Sequence, residues 1–584
     1  MAAASSNRIE VKRQNSIAKT KNLRPVIYQL FPRLFANATQ NPVPNGRIQT
    51  NGSGKMNNIT SRILKSIREL GITHIWYTGV IEHAHDADYT RYGIEKHNAH
   101  IIKGRAGSPY AICDYYDIDP DISEDVNNRM HEFEQLVQRT TQAGMGTIID
   151  FVPNHVSRIY HSDAAPEGTE DLGAQDNKDF FFLPNNNFFY ITRQQFSPIG
   201  VDLGAGDEAY REFPARATGN DCYSAFPNSN DWYETVKLNY GRDPYNGIGH
   251  FAPIPDTWYK MLHILLFWAR KGISGFRCDM AHMVPVEFWQ WAIRQVKAEF
   301  PHIIFIAEIY DVSLYHIFLN EAGFDYLYDK VNLYDTLRGI ECSNVSAALL
   351  TSCWQTTEGI SEQMLNFLEN HDEQRFASDF FAGDATKVLP YLVAITTMSR
   401  GAVMVYNGQE FGEKGMDEEG YSGLDGRTSI FDYWSMDTVR RWLGKNYVPS
   451  SDGLTVSESS LRKLYSTILH LVNDEKAIRE GLFFDLMYVN YDNPGINPHH
   501  QFAYFRKKDN DVILIVLNFS ETPRICDIII PQQAFDTLNL PVGVFEAVDL
   551  VTQQKQKICL EPGKTTQTYV SGYGASILKV SFPT

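Results

Sequence analysis

The chain has 584 residues, 43% of them hydrophobic and 13% aromatic, with a formal net charge of −17. That composition describes a globular protein with a large core and argues against a disordered chain. The acidic surplus makes nucleic acid and anionic membranes poor partners, while a neutral ligand is compatible with it.

In chain order, Met1 to Asn22 is polar and basic and lacks the apolar centre of a signal peptide. The cytoplasm is therefore the expected compartment; periplasm or secretion is the alternative if Met-Ala-Ala-Ala-Ser-Ser replaces a trimmed leader. Pro25 to Phe31 reads as a buried strand, Ile59 to Leu70 as a helix stopped by Gly71, and Thr73 to Thr78 as a second strand. A helix over about Val126 to Ala143 precedes the strand Gly146 to Val152. Between His155 and about Pro255 the rhythm breaks into Asn, Asp, Gly, Pro and Phe, too long for an ordinary loop, and reads as an insert. Alternation resumes with a helix from Asp256 to Lys271, a strand ending at Asp279, a helix from Pro285 to Glu299 and a strand ending at Glu308. Phe324 to Tyr328, a strand ending near Asn370, and Ala402 to Tyr406 bring the strands to eight.

Eight strands alternating with helices predict an α/β fold, a (β/α)₈ TIM barrel with an inserted subdomain. After a helix at about Leu461 to Val472, short strands at Gln501, Val512, Ile525 and Ala575 predict a C-terminal antiparallel β-sandwich. The expected divisions are an N-terminal arm (1–24), barrel (25–154), insert (155–256), barrel (257–484) and β-sandwich (485–584). No run approaches the roughly 18 apolar residues of a membrane span, so no membrane insertion is expected. Seven cysteines lie scattered without metal-type spacing, and their odd number argues against a disulfide framework. Nothing in the sequence sets the oligomeric state.

Three apolar strands end in an acid: Gly275-Phe-Arg-Cys-Asp279, Phe305-Ile-Ala-Glu308 and Phe367-Leu-Glu-Asn-His-Asp372. Taken singly, each acid reads about as well as a helix N-cap. Together, at the C-terminal ends of barrel strands, they predict one site. Arg277 and Asp279, two apart on a strand, point to the same side. A glycosidic bond needs one carboxylic acid to protonate the leaving oxygen and a second carboxylate to attack or to direct water. Histidines such as His155 and His371 suit hydroxyl recognition.

Asp150-Phe-Val-Pro-Asn-His155, Gly275-Phe-Arg-Cys-Asp279, Ala307-Glu308 and Asn370-His-Asp372 resemble the four signature regions of the α-amylase family of glycoside hydrolases. Gly408-Gln-Glu410 and Asp117-Ile-Asp-Pro120 are also similar to family sequence. The resemblance implies Asp279 as nucleophile, Glu308 as general acid/base and Asp372 as transition-state stabiliser. It further implies that Arg277 holds Asp279 ionised, that His155 and His371 bind hydroxyls, and that Tyr110 is a stacking tyrosine. Asp150 and Asn154 read as architectural.

Thr235-Val-Lys-Leu-Asn239 resembles the neopullulanase-like insert motif, with Lys237 where calcium-binding members carry Asp. Met283 stands where a histidine carbonyl helps bind the family's calcium, so no metal ligand or cofactor is assigned and the usual calcium site is not expected. The implied activity is retaining hydrolysis of α-glucosidic bonds, chiefly α-1,4, in starch- or glycogen-derived oligosaccharides. Transglycosylation by the same residues is the first alternative. A non-catalytic glycan-binding barrel is the second, and the presence of all three acids weighs against it.

Overall fold

The computed structural model describes residues 23–582; the N-terminal arm expected over 1–24 falls almost wholly outside them. Eight parallel strands close into a barrel: β1 (Val26–Leu30), β2 (His74–Tyr77), β3 (Gly146–Phe151), β4 (Gly275–Cys278), β5 (Ile304–Ala307), β6 (Tyr326–Tyr328), β7 (Met364–Phe367) and β8 (Ala402–Tyr406). Each strand pairs with its sequence neighbours, and β1 closes on β8 with Val26 beside Val403. These are the eight strands predicted from the apolar runs. They are short and buried on both faces, as parallel strands covered by helices are.

The helices form where apolar residues recur at helical spacing. Val456–Asp474 buries Leu461, Tyr465, Ile468, Leu469 and Val472 against the barrel, and a Thr455–Glu458 capping box starts it. Asp256–Arg270 buries Met261, Ile264, Leu265 and Trp268, each large apolar side chain worth about 1.5–3 kcal/mol when fully buried.

The segment between β3 and β4 holds two small antiparallel pairs, His155–Ser157 with Thr235–Lys237 and Tyr190–Ile191 with Ala215–Arg216. A further irregular pair, Ile81–His83 with Ile112–Ile118, follows β2 and escapes the sequence reading. The C-terminal unit is a six-stranded antiparallel sheet with a two-stranded sheet, Arg524–Ile529 with Thr565–Val570, beside it. Four of its strands (Leu482–Asp485, Gly543–Asp549, Lys555–Leu560 and Thr565–Val570) are not apparent in the sequence, because their apolar alternation is interrupted by charge or exposure.

Candidate active site

Register sets the floor of the site. Asp150 on β3 lies directly beside Arg277 on β4, and both side chains point into the barrel. Such a charge at the barrel centre survives only if it is paired. Arg277, with 0% exposure, is paired three ways. Nη1 donates to Asp279 Oδ1 at 2.7 Å, Nη2 lies 2.6 Å from Glu308 Oε1, and Nη1 lies 3.5 Å from Asp150 Oδ1. Its Nε donates to Tyr328 OH at 3.2 Å, and its plane packs near the rings of Trp76, Tyr110 and Tyr328.

Glu308 is held from both sides. Tyr310 OH donates to Oε1 at 2.7 Å, and the Met280 backbone N–H donates to Oε2 at 2.8 Å. Met280 can do so because the chain turns through a left-handed conformation there, φ 43°, immediately after Asp279.

Asp372 follows β7 and is partly exposed, with His371 Nε2 3.0 Å from its Oδ2. The same Nε2 meets Tyr110 OH at 2.6 Å, and the Tyr110 and His371 rings stack at 5.2 Å. Gln29 contacts the other ring nitrogen of His371 at 2.7 Å. Asp150 also accepts from Trp76 Nε1 at 3.0 Å, so its structural role is to anchor the floor.

Tyr110, His155, Asp279, Glu308 and Asp372 all line one pocket of about 290 Å³. Arg277 and His371 do not line it; they lie beneath, where they hold the acids. Trp232, Glu234, Tyr310 and Lys103 line it too and were missed by the sequence reading. Tyr310 carried a usable signal, two residues beyond Glu308 at the same strand exit. Trp232, on the irregular insert, carried none.

The acids differ electrostatically. Burial, then the neighbouring Glu308 carboxylate, pushes Asp279 well above the ordinary aspartate range, against the pull of Arg277. The expectation that Arg277 holds Asp279 ionised meets an opposing effect here: the guanidinium is divided among Asp279, Glu308 and Asp150, while burial works against the charged form. For Asp372, burial works upward but His371, Arg277 and Arg427 outweigh it and bring the carboxyl down to about 2. Burial, with Lys237 and Lys103, holds His155 down to about 3, so its imidazole is neutral. Its ring packs against Trp232 at 5.2 Å.

A family model for the α-amylase catalytic domain matches residues 29–445, most of the chain, from within β1 to beyond β8. The chain belongs to the α-amylase family. Neopullulanase 2 of Thermoactinomyces vulgaris is 22% identical over 405 residues, 67% of this chain and 57% of that protein. An alpha-1,4-glucan:maltose-1-phosphate maltosyltransferase of Cereibacter sphaeroides is 34% identical over 87 residues, 14% of this chain and 15% of that protein. The chain thus spans little more than half of the first relative and a small part of the second. A maltogenic alpha-amylase from Thermotoga neapolitana shares the fold, with a TM-score of 0.62 at 19% identity, covering 96% of this chain and 99% of that one.

The α-amylase family's calcium does not fit the residues at its usual position. The Lys237 ammonium contacts Asn154 Oδ1 and lies 3.2 Å from the Met283 carbonyl and 2.7 Å from Asp221 Oδ1. A cation thus already sits among the oxygens that would surround the ion, which needs six to eight oxygen ligands.

Among the described residues, no helix is long and apolar enough to cross a membrane.

Proposed function

We propose that the chain is a retaining α-glucoside hydrolase, acting on α-1,4 bonds of starch- or glycogen-derived oligosaccharides. The observation that carries this reading is one guanidinium, Arg277, gripping both Asp279 and Glu308 from beneath a pocket that these two acids and Asp372 line. Two buried carboxylates so close disfavour double ionisation. A proton carried by Glu308 serves the leaving group.

In the first step Asp279 attacks the anomeric carbon through Oδ2, the oxygen Arg277 does not hold. Glu308 protonates the glycosidic oxygen as the bond breaks, leaving a glycosyl ester on Asp279. In the second, the Glu308 carboxylate takes a proton from water, the hydroxide oxygen attacks the same carbon, and the ester bond breaks. Asp372, anionic across the working pH range, accepts hydrogen bonds from sugar hydroxyls and favours the positive charge that develops on the ring. Tyr110 offers its ring face and neutral His155 a hydroxyl contact.

Transfer to a sugar hydroxyl is the second reading, favoured by the local likeness to the maltosyltransferase. It uses the same ester, with a hydroxyl in place of water. The test is a panel of α-1,4, α-1,6 and α-1,1 glucosides, with and without added maltose, followed by chromatography. Hydrolysis predicts free sugars from the α-1,4 members, with Asp279→Asn folded but slower by on the order of 10⁴-fold or more. Longer products on adding maltose would favour transfer. Wild-type activity in Asp279→Asn would sink both readings.

A further inference from the structure

Away from the pocket, where the chain leaves β2, the side chains of His85, Asp119 and Asp121 converge. All three are buried, and their ligand atoms lie within 4.8 Å of one another. His85 is 1% exposed, and neither of its ring nitrogens has a hydrogen-bond partner. A neutral imidazole has one donor and one acceptor and a protonated one has two donors, so an interior ring with neither nitrogen paired is a position that something else must satisfy.

The surrounding groups are already committed. His97 Nδ1 accepts from the backbone N–H of His85 at 3.1 Å, and the His97 and Tyr89 rings pack on the His85 ring at 4.9 and 5.5 Å. Asp119 Oδ1 accepts from the Asp121 N–H at 2.7 Å. Asp119 Oδ2 lies 2.8 Å from His83 Nδ1, which also lies 3.1 Å from the Ile81 carbonyl, and Oδ2 keeps a second lone pair for a further partner. Arg33 Nη1 donates to the other nitrogen of His83 at 3.0 Å. Asp121 accepts from Tyr89 OH at 2.8 Å and from Tyr433 OH at 2.7 Å, one on each oxygen, and each oxygen keeps a second lone pair. Among the described residues, no lysine or arginine makes an ion pair with Asp119 or Asp121; Lys55 reaches only the Asp121 carbonyl, at 2.6 Å.

The imidazole therefore faces two carboxylates across a gap too wide for a direct hydrogen bond and narrow enough for one intervening atom. We infer that His85, Asp119 and Asp121 bind one divalent transition-metal ion of the Zn²⁺ or Mn²⁺ class, through one imidazole nitrogen and two carboxylate oxygens. The nitrogen donor disfavours Ca²⁺ and Mg²⁺, which take oxygen ligands. The ion would join three parts of the pocket rim. His85 begins the loop that returns to Tyr110. That loop is closed tightly at Gly107, where φ is +67° and a Cβ would meet the Ala84 carbonyl at 1.6 Å. Asp119 and Asp121 start the 3₁₀ turn Pro120–Ile122, and Asp121 reaches Tyr433, near the pocket-lining Ile430 and Phe431. This is a structural clamp, distinct from the Lys237 position.

The test strips the full-length chain with a chelator, dialyses it, and titrates it with Zn²⁺ and, as an optical probe, Co²⁺. Metal content is read by mass spectrometry and coordination by the Co²⁺ ligand-field bands. The expected result is one ion per chain, a Co²⁺ spectrum of low coordination number, and a higher melting temperature when loaded. His85→Gln and Asp119→Asn should each weaken binding at least about tenfold, the least that loss of a supporting group brings. Asp163→Asn, in the exposed corner of the separate Glu82–Asp117–Asp163 group, should keep the ion. Wild-type protein that takes up less than one ion per chain at every concentration would overturn the inference and assign the gap to an ordered water. So would an ion retained by both His85→Gln and Asp119→Asn, or one lost in Asp163→Asn alone. The wild-type uptake and spectrum decide the matter even if a variant fails to fold.

Discussion

Asp279 and Glu308 share one guanidinium yet are held differently, and that difference carries the chemistry. Arg277 is the single protein donor to the Asp279 carboxylate among the described residues, whereas Glu308 accepts from Tyr310 OH and the Met280 N–H and forms an ion pair with Arg277. Glu308→Gln keeps the shape and loses the proton. It should slow cleavage of unactivated oligosaccharides by about 10²–10⁴-fold while sparing activated aryl glucosides, whose leaving groups need little protonation. Equal losses on both substrates, measured as kcat/KM, would remove Glu308 from the acid role. The pH profile follows from Asp279. It attacks only as a carboxylate, and burial and Glu308 raise its affinity for a proton. Activity should therefore fall as pH drops through a value above the usual aspartate range of about 3.9. Asp372, at about 2, stays charged throughout that fall. An acid limb at or below the ordinary value, in kcat/KM against pH, would contradict the raised Asp279.

At the scale of elements, the insert is fastened to the barrel by Lys237, on the strand Thr235–Lys237, which bridges Asn154 after β3 and Met283 after β4. Lys237→Met keeps the length and loses the cation. It should destabilise by about 1–3 kcal/mol for each buried oxygen left unpaired, seen as a lower melting temperature. Calcium added to chelator-stripped wild-type protein should not raise that temperature; a rise produced by calcium alone would show that the ion displaces the ammonium. Such strand-end elements were legible in the sequence for a physical reason. Each barrel strand is a short, mostly apolar and almost wholly buried run, so the acid that follows it stands out, as at Asp279 and Glu308. The strand Gly543–Asp549 mixes exposed, half-buried and buried positions with Glu546 in its middle, and no such contrast marks it. The floor of the site was legible only in part. Arg277 and Asp150 announce themselves as charges in apolar strands, but Gln29, Trp76 and Tyr328 reach His371, Asp150 and Arg277 only through barrel closure, which is a long-range property.

The whole molecule holds this site still. Arg506 on the C-terminal strand Gln501–Lys508 is buried and donates to the carbonyls of Thr397, Met398, Ile478 and Gly481, at 3.0, 3.2, 3.0 and 2.8 Å. Thr397 and Met398 end the helix that leads into β8, so the C-terminal sheet braces the closing strand of the barrel. Arg24, just before β1, donates to Gly401 and Thr396 on the same stretch. With the barrel closed and braced, Asp279, Glu308 and Asp372 converge from β4, β5 and β7 on one face. The central claim is that this convergence makes Asp279 a nucleophile. Direct attack requires the Asp279 and Glu308 carboxyl groups at about 5–5.5 Å, whereas an intervening water requires roughly 6.5–9.5 Å. Two displacements at one carbon retain its configuration; one displacement inverts it. Proton NMR of an α-1,4 oligosaccharide in the first minutes of hydrolysis, before mutarotation, reads the outcome directly. The account predicts that the α-anomer appears first; a β-anomer appearing first would contradict it.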